Sequence, residues 1–170
     1  MARESLAVAC ETSAMRVHIG TDHAGLELKN HLVTWLRDND HEPVDHGATG
    51  FDPQDDYPPY VLRAAAAVVS DPGSLGVVIG GSGNGEAIAA NKVPGVRAAL
   101  VWRDDLARLA REHNDANVCS IGARMHEPVE ATQLVRTFLA TAFSGDPRHG
   151  RRIGQLADYE RTGALPPLPD

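Results

Sequence analysis

The chain is expected to fold as an α/β three-layer sandwich around a five-stranded parallel sheet. Two observations carry that expectation. Short apolar, β-branched runs alternate with longer amphipathic segments from end to end, the pattern of strands joined by crossover helices. The most apolar of these runs, Val77–Ile79, passes directly into a turn with glycine at positions 80, 81, 83 and 85. Such a run suits a strand buried on both faces. Glycine takes positive φ without steric cost and lets backbone amides approach an anion closely.

Arg16–Gly20 is the first strand, ending in Thr21-Asp22-His23. Ala24–Asn39 has Leu28, Leu32, Trp35 and Leu36 at helical spacing. His41–Asp45 is a short second strand, followed by a polar acidic loop, Gly47–Asp56, and Tyr57-Pro58-Pro59. Tyr60–Ser70, rich in Ala and Val, is the next helix, with prolines tolerated near its start. Asp71-Pro72-Gly73 turns the chain into the central strand. Ala87–Lys92 reads as a helix behind the glycine turn and Val96–Val101 as the fourth strand. Asp104–His113 is a helix with Asp104 placed to cap it. Val118–Ile121 is the fifth strand, and Pro128–Ala142 a helix with proline in its first turn. Gly145-Asp146-Pro147 breaks the chain before a basic final helix, Arg148–Arg161. The order of elements is Rossmann-like, with one domain over residues 15–161, a disordered extension over 1–14 and a flexible proline-rich tail over 162–170.

Composition narrows the function classes. A length of 170 residues with 42% hydrophobic and 23% charged residues is ordinary for one globular domain. A formal charge of −7 speaks against nucleic acid or an anionic membrane surface as partner, while leaving room for a local basic pocket. Two cysteines, Cys10 and Cys119, make no disulfide framework and point to a reducing, cytoplasmic setting. No apolar run approaches the ~20 residues of a membrane span. Leu6–Cys10 faintly resembles a lipoprotein cleavage site, but its apolar stretch is too short and Glu4 is acidic where a leader is basic.

The glycine turn sits where a strand's carboxyl end meets a helix N-terminus, and free amides there favour negative charge. It carries a hydroxyl (Ser82), an amide (Asn84) and a carboxylate (Glu86). It lacks the Lys-Ser/Thr ending of a P-loop, and no acidic residue stands where a dinucleotide site requires one. Ligands of open α/β sheets bind outside the carboxyl ends of the strands. That rule gathers Asp22-His23, Ser82–Glu86, His113-Asn114 and Gly122-Ala123-Arg124 on one edge. Each has a plainer reading. Asp22 caps the next helix, His113 meets a helix dipole, Arg124 is a surface arginine, and Arg148, His149, Arg151 and Arg152 are a solvated face. Together they describe a site for a small anionic substrate: arginines for a phosphate, a histidine for proton transfer, and a carboxylate beside an oxyanion-stabilising loop.

These residues lie within longer strings that resemble type B ribose-5-phosphate isomerases, the sugar-phosphate isomerase family that includes galactose-6-phosphate isomerase. The strings are Gly-Thr-Asp-His-Ala-Gly (20–25), Gly-Gly-Ser-Gly-Asn-Gly-Glu (80–86), Ala-Ala-Asn-Lys-Val-Pro-Gly-Val-Arg-Ala-Ala (89–99) and Arg-Glu-His-Asn (111–114). Ile-Gly-Ala-Arg (121–124) and Arg-His-Gly-Arg-Arg (148–152) fit as well, so the similarity runs from about Met15 to Arg161. Their ordered combination is specific where any one string is not.

The resemblance implies interconversion of ribose 5-phosphate and ribulose 5-phosphate through an enediolate, without metal or other cofactor. Many members carry a cysteine base where this chain has Gly80, which assigns the chain to the branch whose base is the loop glutamate, Glu86. His113 opens the sugar ring. Gly81 contacts the substrate, and the amides of Gly83, Asn84 and Gly85 stabilise the developing oxyanion, each worth ~3–4 kcal/mol in comparable sites. Ser82 relays a proton between O1 and O2. Asp22 and Asn114 orient hydroxyls, and His23, Arg124, Arg148 and Arg152 hold the phosphate. Members are homodimers with sites shared between subunits, so His113, Asn114 and Arg124 are expected to serve a partner's Glu86. The alternatives are a six-carbon substrate (allose or galactose 6-phosphate), a non-catalytic phosphosugar-binding module, and a metal-dependent hydrolase built from Asp22, His23, Asp45, His46 and the Asp52–Asp56 cluster.

Overall fold

In the computed structural model, which describes residues 14–168, five parallel strands form one sheet in the order β2-β1-β3-β5-β4. The strands are β1 (Arg16–Thr21), β2 (Glu42–Asp45), β3 (Leu75–Gly80), β4 (Ala98–Leu100) and β5 (Val118–Gly122). The helices are α1 (Leu26–Asp38), α2 (Tyr57–Ser70), α3 (Asn84–Ala90), α4 (Asp104–Asn114), α5 (Pro128–Ala140) and α6 (Pro147–Thr162). The three-layer sandwich is therefore the one expected, with β3 at its centre. The proposed extension over 1–14 lies almost wholly outside the described residues. At the other end, residues 163–168 carry no regular element and are exposed. Among the described residues no helix is long and apolar enough to cross a membrane.

Alternation along the strands divides the core. Val17, Ile19, Val77, Ile79, Cys119 and Ile121 face one side, where α1, α4 and α5 deliver Leu32, Leu36, Ala107, Val135 and Phe138. Val78 and Val118 face the other, against Val61, Ala64, Ala65 and Val68 of α2 and Ala90 of α3. Cys119 is wholly enclosed, and burial pushes its thiol far above the ordinary range, so it holds a core position and no reactive one.

Several boundaries differ from the sequence expectation for local reasons. α2 begins at Tyr57, not Tyr60, because Pro58 and Pro59 fall in the first turn, where no intrahelical N–H is needed. α3 begins at Asn84, not Ala87. Gly83, at φ +82°, is its N-cap, so the end of the glycine turn is itself the first helical turn. Asp104 does not cap α4. Arg103 occupies the cap position in extended conformation, and Asp104 and Asp105 lie in the first turn, where the helix dipole favours them.

Lys29 of α1 is 2% exposed, and its Nζ donates to Asp45 Oδ2 at 2.7 Å and to the Ala48 carbonyl at 2.6 Å. These two bonds tie the end of β2, and the loop that follows it, to α1. Lys29→Met keeps the apolar stem but strands both acceptors. It is expected to lower unfolding free energy by about 2–4 kcal/mol, read as a reduced urea midpoint at unchanged slope.

Candidate active site at the carboxyl edge

β3 leads into Gly81–Gly83, and the loop is pinned against the neighbouring strand. Ser120 Oγ donates to the Gly83 carbonyl at 2.6 Å, while the amides of Ala123 and Arg124 donate to the carbonyls of Gly80 and Gly81 at 2.7 and 3.1 Å. The last two bonds carry the β3–β5 pairing past the strand ends and bring Arg124 beside the loop. A Cβ built on Gly81 would lie 3.2 Å from the Arg124 Nη1. On the other side Tyr57 leans on the loop: a Cβ on Gly85 would fall 2.8 Å from its hydroxyl.

Glu86, in the first turn of α3, is only 5% exposed and folds its carboxylate back onto Gly80. The bare backbone there makes this possible, since a Cβ on Gly80 would overlap the carboxylate carbon and both its oxygens. A side chain at that position and the Glu86 carboxylate would therefore compete for one volume. Burial raises the Glu86 pKa above the ordinary 4.5, and the negative charge of Asp22 adds to the rise, against an opposing bond from Glu86's own backbone N–H. A carboxylate shifted this way is suited to take a proton from carbon near neutral pH.

The remaining polar groups of this edge lie around it. Asp22, 7% exposed, accepts from the Ala24 amide through Oδ1 at 2.9 Å, so it does cap the short turn before α1. Its second oxygen takes no part in that cap. Ser82 Oγ accepts from the Asn84 amide and side chain at 3.3 and 3.2 Å, leaving its hydroxyl hydrogen free to be donated outward. His23 and Arg124 line a cleft of about 910 Å³ beside the loop.

His113, Asn114, Arg148 and Arg152 are not on this edge, contrary to the expectation that all the candidates gather there. Parallel strands require α4 to run back from the carboxyl end of β4 to the amino end of β5. Its last residues therefore land at the opposite edge. The Asn114 carbonyl accepts from Arg97 Nε at 2.9 Å just before β4, and the nearby Asn117 carbonyl accepts from the Gly76 amide at 2.8 Å near the start of β3. The intervening length of strand is on the order of 15 Å. There His113 stacks on His149 of α6 at 4.2 Å between ring centroids, and Ser144 Oγ meets His149 Nδ1 at 3.0 Å. Arg124 stands beside its own chain's glycine loop.

The ligand set imagined for a metal-dependent hydrolase is dispersed. Asp45 is held by Lys29, and His46 Nε2 lies 3.0 Å from His18 Nδ1. Asp22, His23 and Asp55 do come together. However, His23 Nδ1 and Asp55 Oδ1 are hydrogen-bonded to each other at 2.6 Å, so the pair is satisfied without an ion. Sequence reasoning gives Tyr57 no role and the acidic loop only the hydrolase one. The one available signal was their adjacency, Asp55-Asp56-Tyr57-Pro58, at the mouth of the edge where ligands bind.

Comparison with known proteins identifies the family and the fold. A family model described as ribose/galactose isomerase matches residues 17–156. A ribose-5-phosphate isomerase B from Mycobacterium tuberculosis is 55% identical over 157 residues, covering 92% of this chain and 97% of the relative. A solved ribose-5-phosphate isomerase B from Clostridium thermocellum superposes with TM-score 0.84 at 40% identity, covering 88% of this chain and all of that one. A Mycoplasma genitalium enzyme of the same name, solved with bound ribulose 5-phosphate, superposes with TM-score 0.83 at 38% identity, covering 87% of this chain and 97% of that one.

Gly80→Ala places a methyl where the Glu86 carboxylate lies. The obstacle is the far end of a side chain and not backbone, so the fold is expected to survive while the carboxylate is displaced. Turnover should fall about 100-fold with an unchanged circular dichroism spectrum.

Proposed function

The chain belongs to the ribose/galactose isomerase family, and on that premise we propose that it interconverts ribose 5-phosphate and ribulose 5-phosphate in cytoplasmic pentose phosphate metabolism, with Glu86 as the carbon base. The observation that carries this reading is the buried Glu86 carboxylate, folded onto a side-chain-free strand end beside the glycine loop.

In the proposed reaction the open-chain aldose lies with C1 and C2 at Glu86 and its phosphate toward His23 and Arg124. Glu86 removes the C2 proton, the electron pair moves into the C1–C2 bond, and negative charge collects on O1. Amides of the loop at Gly83 and Gly85 receive that charge, while the Asn84 amide is partly engaged by Ser82. Ser82 moves the hydroxyl proton between O2 and O1, and Glu86 returns its proton to C1. The reaction is redox-neutral overall, with one hydrogen moved from C2 to C1 and one from O2 to O1. Asp22 and the Gly81 backbone orient the substrate.

Ring opening is assigned to His113, and further contacts to Asn114, Arg148 and Arg152, all from a second copy of the chain. Two features support a shared site. The four residues lie together on the edge away from their own Glu86. In addition, α6 presents Leu156 at 62% and Tyr159 at 48% exposure and buries only His149, so most of its surface is open to a partner.

Glu86→Gln is expected to lower turnover of ribose 5-phosphate by at least 1,000-fold while leaving phosphate-dependent binding in place. Retained turnover would remove Glu86 from the mechanism. In the wild type the acid limb of kcat/KM should lie above the ordinary 4.5, activity falling as pH drops through the raised Glu86 pKa. Because the folded-state pKa is raised, ionising Glu86 costs the native state stability above that pH and nothing below the unfolded value. Glu86→Gln should therefore raise the denaturation midpoint at pH 7, with the gain vanishing near pH 4.

Sharing of sites is tested by mixing Glu86→Gln and His113→Ala proteins, each inactive alone. Random reassortment of a dimer gives half hybrids with one intact site each, so roughly a quarter of wild-type activity should return. No recovery after verified subunit exchange would place all catalytic groups within one chain.

A further inference from the structure

We propose that Asp55, in the loop between β2 and α2, is a positioning residue for the substrate phosphate, fixing the His23 ring so that Nε2 faces the cleft shared with Arg124. The proposal rests on the reading of His23 as a phosphate ligand and adds to it a residue that makes no phosphate contact of its own.

The geometry is specific. Asp55 Oδ1 accepts from the His23 backbone amide at 3.0 Å and meets His23 Nδ1 at 2.6 Å, so one oxygen fixes both the backbone and the ring. The Asp55 side chain is 11% exposed and that of His23 22%. Phe51 meets the imidazole edge-on, with centroids 5.8 Å apart, and limits its rotation from another side. Nδ1 is occupied by the carboxylate, while Nε2 has no protein hydrogen-bond partner among the described residues and the ring lines the cleft. Asp55 is not among the residues that line that cleft, whereas the ring it holds is.

The electrostatics follow the same arrangement. Hydrogen bonding to Asp55 is the largest influence holding His23 protonated above the ordinary 6.5, with Asp22 and the charge of Asp55 assisting, while burial and Arg124 oppose. Tyr60 of α2 and Asp52 also lie near this pair, and the buried Asp55 Oδ2 has no hydrogen-bond partner among the described residues. Glu27, His126 and Glu127 line the rest of the cleft. A charged imidazole hydrogen bond to phosphate is of the stronger kind, so its loss is visible in KM.

Asp55→Asn is the informative variant, because its carbonyl oxygen can still accept from the His23 amide and keep the loop tied while the charge is gone. We expect KM for ribose 5-phosphate to rise about tenfold at pH 8, with kcat within about twofold. The pH at which KM begins to climb should move down, toward the ordinary histidine value. Competitive inhibition by inorganic phosphate should weaken in parallel, and Asp55→Glu should recover part of it. If Asp55→Asn leaves KM and its pH profile unchanged while His23→Ala raises KM, the proposal fails and the phosphate role of His23 stands. If His23→Ala also leaves KM unchanged, the reading beneath it fails. An NMR titration of wild-type His23 does not depend on any variant folding, and a midpoint at or below 6.5 overturns the proposal.

Discussion

The active edge depends on the absence of a side chain at Gly80. Strand β3 is fully buried on both faces, so space at its carboxyl end is set by main chain and by what the following helix folds back into it. Glu86 takes that space because nothing projects from Gly80. The same approach keeps the carboxylate away from water, which raises its pKa, and near Asp22, which raises it further. A buried carboxylate is ordinarily a liability to the fold. Here a few atoms of missing side chain make it the natural place for a base.

The second constraint is the direction of the strands. A crossover helix must return to the amino edge before the next parallel strand can begin, so nothing at the end of α4 can reach the loop after β3 in the same chain. His113 and Asn114 follow a helix and not a strand, so the geometry of a crossover keeps them from the carboxyl edge where ligands of open sheets bind. Family resemblance had already supplied a way round the difficulty, a site completed by a second copy. The structure gives that idea a physical footing, because it leaves His113, Asn114, Arg148 and Arg152 at the edge away from the other candidates, with an open helix beside them.

The layers, the strand count, the central position of β3 and the glycine turn were legible because they rest on periodicity and on glycine chemistry, both local in sequence. The starts of α2 and α3 are hidden because proline and glycine ordinarily mark loops, whereas here the prolines fit a first helical turn and Gly83 is a cap. Pairings far apart in sequence were not legible. Lys29 with Asp45, His23 with Asp55, and Tyr57 with Gly85 are set by which loop the sheet order brings alongside which strand end, and no spacing in the chain encodes that order.

The proposed chemistry also explains why a protein of net charge −7 would bury an acid beside an anionic substrate. Before reaction the negative charge sits on Glu86, a buried position at this edge. When the carboxylate takes the C2 proton, the site's total charge does not change, but the charge moves to a substrate oxygen that faces backbone amides. Burial that disfavours the starting carboxylate therefore favours the transfer, and the amides favour where the charge arrives. The phosphate is met separately by His23 and Arg124, so its charge need not be offset near the reacting carbons. The loop separates a place where negative charge is costly from one where it is welcome, and the proton crosses between them.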